Sequence, residues 1–258
     1  MSRDSTTRVL SVAFLLCLVC SILVSAAAVG LSERQERNKI EEKRKNILQA
    51  ADLYSAERSI EEQYAQIEPR IVDLKTAWFS EDVDAANFDS RAAARDPEMS
   101  HQIQGNLDIA GIKSRSRYQD IYLVRDGETL QQVILPVYGK GLWSTMYGFI
   151  SLASDLTTVN GFAFYEHAET PGLGGEIDNP NWKKQWQGKK VYDESGSVRI
   201  EVLKGVVDKK SPQAMYQADG LAGATLTARG VGNLLQYWMG DDGYKPFLEK
   251  LKQQGVKL

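Results

Sequence analysis

The sequence predicts an α+β protein: an N-terminal transmembrane helix, a helical stretch, and then a domain of antiparallel sheet plus helices. Three observations predict it. Residues 9–31 are uncharged, short turns separate strand-like segments from Arg117 onward, and a helical repeat of apolar residues follows Thr225. We therefore expect three segments, with an anchor and its short tip at 1–31, a connecting region at 32–116 and the main domain at 117–258.

The run Val9 to Leu31 has about 23 residues, enough to cross the ~30 Å hydrocarbon core as a helix. A cleaved signal peptide is the alternative, since Ala26 to Ala28 offers a small-residue cleavage pattern. More Lys and Arg residues follow the run than precede it, which taken alone would keep the domain inside. Long domains translocate largely regardless of such counts, so the charges leave the side of the membrane open.

The connecting region is rich in charged residues. We expect one or two solvated helices from Ser32 to about Ile67, ending before Pro69, and a short strand at Ile71 to Leu74. Ser80 to Gly111 is poor in apolar residues and predicts an irregular insert with helical pieces.

Strand patterns dominate the first part of the main domain. The turn Asp126-Gly127 between two apolar runs predicts a hairpin of residues 120–124 and 132–138. Further strands are predicted at 145–152, 159–166 and 198–203, with a short helix at 180–188.

A helix is predicted directly after Thr225. Val231, Leu234, Leu235 and Trp238 recur at helical spacing and form a stripe that faces the core. Gly240 ends this helix, and a last short helix covers 244–253.

Composition excludes several classes of function. With 31 Lys plus Arg against 34 Asp plus Glu, the net charge of −3 argues against nucleic acid as a partner. Both cysteines, Cys17 and Cys20, lie in the apolar run, so the rest of the chain has no disulfide and no thiolate metal site. Two histidines exclude a multi-histidine metal centre, and we expect no metal site. The usual dinucleotide and P-loop glycine motifs are absent, which argues against NAD chemistry by this chain.

Residues 219–227, Asp-Gly-Leu-Ala-Gly-Ala-Thr-Leu-Thr, open the helix after Thr225. Small residues there let another group approach the backbone, and the Thr225 hydroxyl lies where free N–H groups favour an anion such as phosphate. The same spacing fits an ordinary N-cap role for Thr225 or Thr227.

Residues 167–176 form a second glycine-rich stretch directly after a predicted strand. Its glycines allow positive φ, and Leu173 on such a loop could lie against a flat ring. A hairpin turn is the alternative. A third glycine pair, Gly139 and Gly141, comes just before Trp143, which could line a pocket or belong to the core.

Together these segments resemble the C subunits of the bacterial sodium-translocating NADH:quinone oxidoreductases. The matching residues are 25–31, 141–143, 169–175 and 219–227. The resemblance implies FMN bound to Thr225 through a phosphoester, attached by a separate FMN transferase that uses FAD. The family more often has Ser at the position of Ala222, a minor departure that removes one hydroxyl near the phosphate.

The resemblance also implies the remaining site residues and the function. The implied FMN-binding residues besides Thr225 are Asp219, Gly223, Ala224, Leu226, Thr227, Thr170, Gly172, Leu173, Gly174 and Trp143. The implied function is electron relay from NADH, oxidised by another subunit, through an iron centre and this FMN to further flavins and ubiquinone. The resemblance also implies that other subunits pump the sodium. The domain would be periplasmic, on a single-pass anchor in the inner membrane, with a cytoplasmic tip.

Two alternatives remain open. The G subunit of the related ferredoxin:NAD oxidoreductase complex shares the threonine signature, but the long segment between Ser32 and Arg117 favours the C subunit of the sodium-translocating complex. A membrane-anchored binding or assembly module without a redox role would use Thr225 as an ordinary N-cap.

Overall fold

A computed structural model describes residues 6–85 and 88–254 of the chain. The contacts divide the chain into two compact units, one ending at Lys43 and the other beginning at Arg44. In its described part the first unit is one long helix, and the second contains the sheet and all three glycine-rich segments.

The first helix, α1, runs without a break from Thr6 to Ala50. Among the described residues it is the one helix long and apolar enough to cross a membrane, and its most apolar window has a mean hydropathy of 2.8 with no residue buried. Length and composition therefore agree with an anchor at residues 9–31, although a signal sequence has the same properties.

The second unit begins with the last turns of α1. Its further helices are α2 (Ile60–Tyr64), α3 (Ser90–Ala93), α4 (Pro180–Lys184), α5 (Thr225–Trp238) and α6 (Lys245–Gln253). Its strands are β1 (Ile67–Asp73), β2 (Trp78–Phe79), β3 (Ser100–Gln102), β4 (Ser114–Ser116), β5 (Tyr118–Asp126), β6 (Thr129–Lys140), β7 (Thr145–Ala153), β8 (Val159–Glu166), β9 (Glu201–Val202) and β10 (Gln217–Ala218). Short 3₁₀ helices cover Gly174–Asp178 and Pro212–Tyr216.

The main sheet has six antiparallel strands in the order β2-β1-β5-β6-β7-β8. The predicted hairpin is confirmed as β5 and β6, whose connecting loop starts at Gly127 with a φ of +59°. Glycine adopts this conformation without steric cost, which suits the first position of a tight hairpin loop. The strands predicted at 145–152 and 159–166 are confirmed as β7 and β8.

Both faces of this sheet are covered. One face packs in a larger core with α4, α5 and α6, and this core includes the buried Trp186, Trp238 and Phe247. On the other face, Ile47 and Leu48 from the end of α1 pack in a smaller core. Since neighbouring residues of a strand point to opposite faces, β5 is buried along most of its length. The predicted α+β class is confirmed.

The connecting region differs in two places from the expectation. The end of α1 is buried rather than solvated, because it covers one face of the sheet. The strand expected from Ile71 begins at Ile67 and includes Pro69. Proline is tolerated there because β2 pairs only with Val72 and Asp73, so none of the described strands pairs with the outer edge of β1 at Pro69. Pairing with β5 makes β1 part of the main sheet.

The strand predicted at 198–203 is also shorter than expected. Val198 forms an isolated bridge with Tyr192, and regular pairing begins only at Glu201, where β9 runs parallel to β10. The insert at 80–111 is mostly irregular in its described part, with α3 and β3 as its regular elements.

Candidate functional site

Thr225 is the first residue of α5, and its side chain is exposed. The N-cap position belongs to Ala224, which makes no side-chain hydrogen bond to the helix. The interpretation of Thr225 or Thr227 as an ordinary N-cap is therefore wrong. The first turn contains no acidic residue, so its N–H groups favour an anion beside Thr225.

A buried carboxylate, that of Glu169, connects three segments of the chain. Its Oε1 accepts hydrogen bonds from the backbone N–H groups of Trp143 at 2.9 Å and Ser144 at 3.1 Å. Its Oε2 accepts from the Leu142 N–H at 3.2 Å and from the Thr227 hydroxyl at 2.6 Å. The β6–β7 loop, the segment after β8 and the first turn of α5 therefore meet at one side chain.

The pKa of the Glu169 carboxyl lies below its ordinary value of 4.5. Burial is the largest influence and would raise this pKa. The hydrogen bonds from the Thr227 hydroxyl and the three backbone N–H groups together outweigh it and lower the pKa. Glu169 is consequently ionised at neutral pH and can only accept hydrogen bonds.

Two glycines leave the space that this connection needs. A Cβ on Gly141 would lie 2.5 Å from Glu169 Oε1. A Cβ on Gly174 would lie 2.6 Å from Thr227 Oγ1 and 2.8 Å from Glu169 Oε2. Any side chain at either position would therefore push the carboxylate away from its donors.

The stretch after β8 leads from Thr170 into the 3₁₀ helix Gly174–Asp178, so it is not the hairpin turn that its glycines also allow. Gly172 takes a φ of +75° within it. Leu173 meets the loop before α5, because a Cβ on Gly223 would lie 3.0 Å from Leu173 Cδ2. The predicted binding loops are therefore in contact.

Each of the three connected segments exposes an apolar side chain. Trp143 is 70% exposed, Leu173 44% and Leu226 52%. Trp143 is therefore not a core residue. Three exposed apolar side chains on connected segments are candidates for contact with a ligand or a partner.

Some predicted site residues have their contacts within the chain instead. Thr227, Ala224 and Gly174 are buried. The Asp219 carboxylate accepts a hydrogen bond from the Val207 N–H at 2.7 Å. This hydrogen bond joins the two ends of the segment 207–219, which comes before α5 in the chain. The other predicted residues are exposed, namely Thr225, Gly223, Thr170, Gly172, Leu173, Leu226 and Trp143.

Sequence reasoning did not identify Glu169 and His167 as site residues. The Glu169 N–H donates to His167 Nδ1 at 3.1 Å, so it is the other ring nitrogen, Nε2, that carries the proton toward Asp178 Oδ2 at 2.8 Å. The available signal was an acidic residue within the glycine-rich stretch, two positions after its histidine. Its partners Trp143 and Thr227 are 26 and 58 residues away, beyond any local pattern.

An open cavity of about 280 Å³ lies beside Thr225 along α5. A larger cavity of about 540 Å³ lies between residues 49–54, β8 and α4, and it includes none of the predicted site residues. Size therefore does not locate the site. Among residues 6–85 and 88–254, no group of three or more His, Cys, Asp and Glu side chains could hold a metal ion.

Comparison with protein families matches residues 141–240 to the family described as FMN-binding domain. This range contains Trp143, Glu169 and Thr225. It therefore spans all three segments that meet at the Glu169 carboxylate.

Two relatives match almost the whole chain. The C subunit of the Na(+)-translocating NADH-quinone reductase of Pseudomonas aeruginosa is 48% identical over 256 residues, covering 98% of each chain. The protein of the same name from Yersinia pestis is 45% identical over 261 residues, covering 99% of this chain and 97% of the relative.

Two solved structures share the fold. The crystal structure of Shewanella oneidensis NqrC matches with a TM-score of 0.76 and 33% identity, over 85% of this chain and 99% of that one. The crystal structure of the C subunit of the Parabacteroides distasonis Na(+)-translocating NADH-quinone reductase matches with a TM-score of 0.66 and 28% identity, over 84% and 96%. With the full-length matches above, these findings confirm the resemblance: the chain belongs to the family formed by the C subunits of the Na(+)-translocating NADH-quinone reductases.

Proposed function

We propose that this chain is a membrane-anchored flavoprotein subunit of a Na(+)-translocating NADH-quinone reductase and holds FMN through a phosphoester bond to Thr225. The observation that carries the proposal is the exposed Thr225 side chain at the uncapped start of α5. It lies within the region that matches the FMN-binding domain. The names of the relatives supply the complex.

The residues around Thr225 fit such a group. A phosphodiester is an anion, and the first turn of α5 offers N–H groups without a competing side-chain cap. Trp143, Leu173 and Leu226 offer exposed apolar surface for an isoalloxazine ring, and the exposed Thr170 offers a hydroxyl. When bound, FMN would supply the capacity to accept and release electrons.

The chain's own task is attachment and support. Thr225 would contribute its Oγ1 to the new P–O bond and give up its hydroxyl proton, while the pyrophosphate P–O bond of FAD breaks and AMP leaves. Because the bond is made to phosphate, the ring stays unmodified and its redox behaviour is set by the protein groups around it. A covalent link also prevents loss of the cofactor outside the compartment that makes it.

The proposal includes partners and a location. The other subunits of the complex would deliver electrons and take them up, and a separate FMN transferase would load Thr225 from FAD. Residues 9–31 would anchor the chain in the bacterial inner membrane, which the length and hydropathy of α1 support. The main domain would be periplasmic, as the family resemblance implies.

Replacing Thr225 tests the attachment. In a host that supplies the transferase, we expect the mass of one FMN on the wild-type chain and on Thr225→Ser, and none on Thr225→Ala. Without FMN, the free energy of unfolding of Thr225→Ala should differ from that of the wild type by less than about 0.5 kcal/mol, since Ala224 is already the N-cap. Thr157→Ala, in the turn between β7 and β8, is a control that should keep its FMN.

Two results would contradict the proposal. FMN on Thr225→Ala would place the attachment elsewhere. An unmodified wild-type chain, from a host that loads a control flavoprotein, would favour the anchored binding or assembly module.

A further inference from the structure

We propose that Glu169 is the positioning residue of the flavin site, holding the walls of the site in a fixed position relative to Thr225. The inference rests on the proposed function. It extends that function because Glu169 is not exposed at the site and would act through the residues that it holds.

Hydrogen-bond donors surround the Glu169 carboxylate. Each oxygen accepts two hydrogen bonds within 3.2 Å, and the Ser144 hydroxyl lies 3.4 Å from Oε1, so five donors converge on one buried group. A glutamine has the same shape but replaces one oxygen with an NH₂ group, which would face donors instead of acceptors. Leaving buried donors without partners is costly, so the connected segments would shift apart.

Each segment held by Glu169 bears one part of the proposed site. Trp143 donates its backbone N–H to Glu169 and carries an exposed indole as its side chain. Leu173 lies four residues after Glu169, in the loop that starts there. Thr227 lies two residues after Thr225 on the same helix. The position of the two apolar walls relative to the attachment residue therefore depends on this carboxylate.

The glycines on either side of the carboxylate support a dedicated role. Gly141 and Gly174 approach it so closely that an added Cβ would lie within 2.8 Å of its oxygens. Two positions without side chains therefore keep the space beside the carboxylate open.

The test uses three variants of the flavinylated full-length chain. Glu169→Gln removes one acceptor oxygen and the negative charge, Thr227→Val removes one donor and keeps the charge, and Thr227→Ser keeps the hydroxyl. Asp155→Asn is the matched control: Asp155 also accepts from two backbone N–H groups and a threonine hydroxyl, at the far end of β7 and β8. The measurements are intact mass, thermal unfolding of the unloaded chain, and visible circular dichroism of the flavin, which reports how rigidly the ring is held.

We expect all variants to carry FMN on Thr225. The visible circular dichroism should fall to about half of the wild-type signal or less in Glu169→Gln and Thr227→Val, because the walls no longer keep one position. It should be retained in Thr227→Ser and in Asp155→Asn, even where Asp155→Asn lowers the unfolding temperature equally. If Glu169→Gln does not fold, Thr227→Val decides the question.

An unchanged flavin signal in Thr227→Val and in any folded Glu169→Gln overturns the inference while leaving the attachment at Thr225 intact. An equal loss of signal in Asp155→Asn overturns it too, because the effect would then be one of general stability. A wild-type chain without FMN overturns both this inference and the proposed function.

Discussion

Thr225 and Thr227 are two positions apart on α5, yet their surroundings are opposite. Thr225 is exposed, whereas Thr227 is fully buried and donates its hydroxyl to Glu169 at 2.6 Å. One threonine is therefore accessible from the solvent, and the other ties the helix to the loops that precede it. This division of roles follows from the direction of each side chain on the helix.

Glu169 should make the stability of the second unit depend on pH. Its pKa is lowered on folding, so the stabilisation is fully present above the ordinary Glu value of 4.5 and is lost as the pH falls through the lowered folded value. The difference in unfolding free energy between wild type and Glu169→Gln should therefore shrink over this acidic range. Urea unfolding at a series of pH values measures this difference in free energy. A difference that is constant with pH would contradict the lowered pKa of Glu169.

At the residue scale, local patterns place Thr225 at the start of a helix and Leu173 in a glycine-rich loop, and both residues are exposed there. Their assignment to a flavin site comes from the resemblance and stays a prediction. The meeting of Glu169 with Thr227 joins parts of the chain 58 residues apart, and only the folded sheet brings them together.

At the scale of elements, α5 links the site to the core. Its stripe of Val231, Leu234, Leu235 and Trp238 is completely buried, as the periodicity predicts. Leu234 packs directly on β6, since a Cβ on Gly139 would lie 2.7 Å from Leu234 Cβ. This packing fixes the direction of the helix whose first residue is Thr225.

Leu234→Ala should destabilise the fold by about 2–5 kcal/mol, because it leaves a cavity in the close contact between α5 and β6. Leu226→Ala on the same helix should cost less than about 0.5 kcal/mol, since Leu226 is half exposed. Denaturant unfolding of both variants without FMN checks the pair. Equal losses would mean that the buried stripe does not carry the packing of α5.

Elements with strong local periodicity were predictable, and those that depend on distant pairing were not. The hairpin β5–β6 and helix α5 appear nearly where the pattern places them. The extension of β1 through Pro69 could not be foreseen from the sequence. It depends on the short strand β2, which pairs with only two residues at the end of β1.

At the scale of the whole molecule, the chain consists of a long exposed helix and a compact domain that starts inside that helix. Ile47 and Leu48 are fully buried in the second core, although they belong to the charged stretch that the sequence presents as solvated. The compact unit therefore begins near Arg44, well before the first residue expected of the main domain.

A chain of residues 44–258 should fold without detergent and unfold cooperatively, since it retains both cores. A chain of residues 53–258 loses Ile47 and Leu48 and should be less stable by more than about 4 kcal/mol. Thermal and urea unfolding compare the two, with Ile47→Ala in the longer chain as an intermediate case. Equal stability of the two chains would show that the end of α1 is not part of the domain.

The proposed electron relay depends on FMN being held by Thr225 through a phosphoester. The most direct test is the intact mass of the wild-type chain from a host with the transferase, followed by peptide mapping. We predict a gain of one FMN, located on the peptide that contains Thr225. An unmodified chain, from a host shown to load a control flavoprotein, would contradict the account.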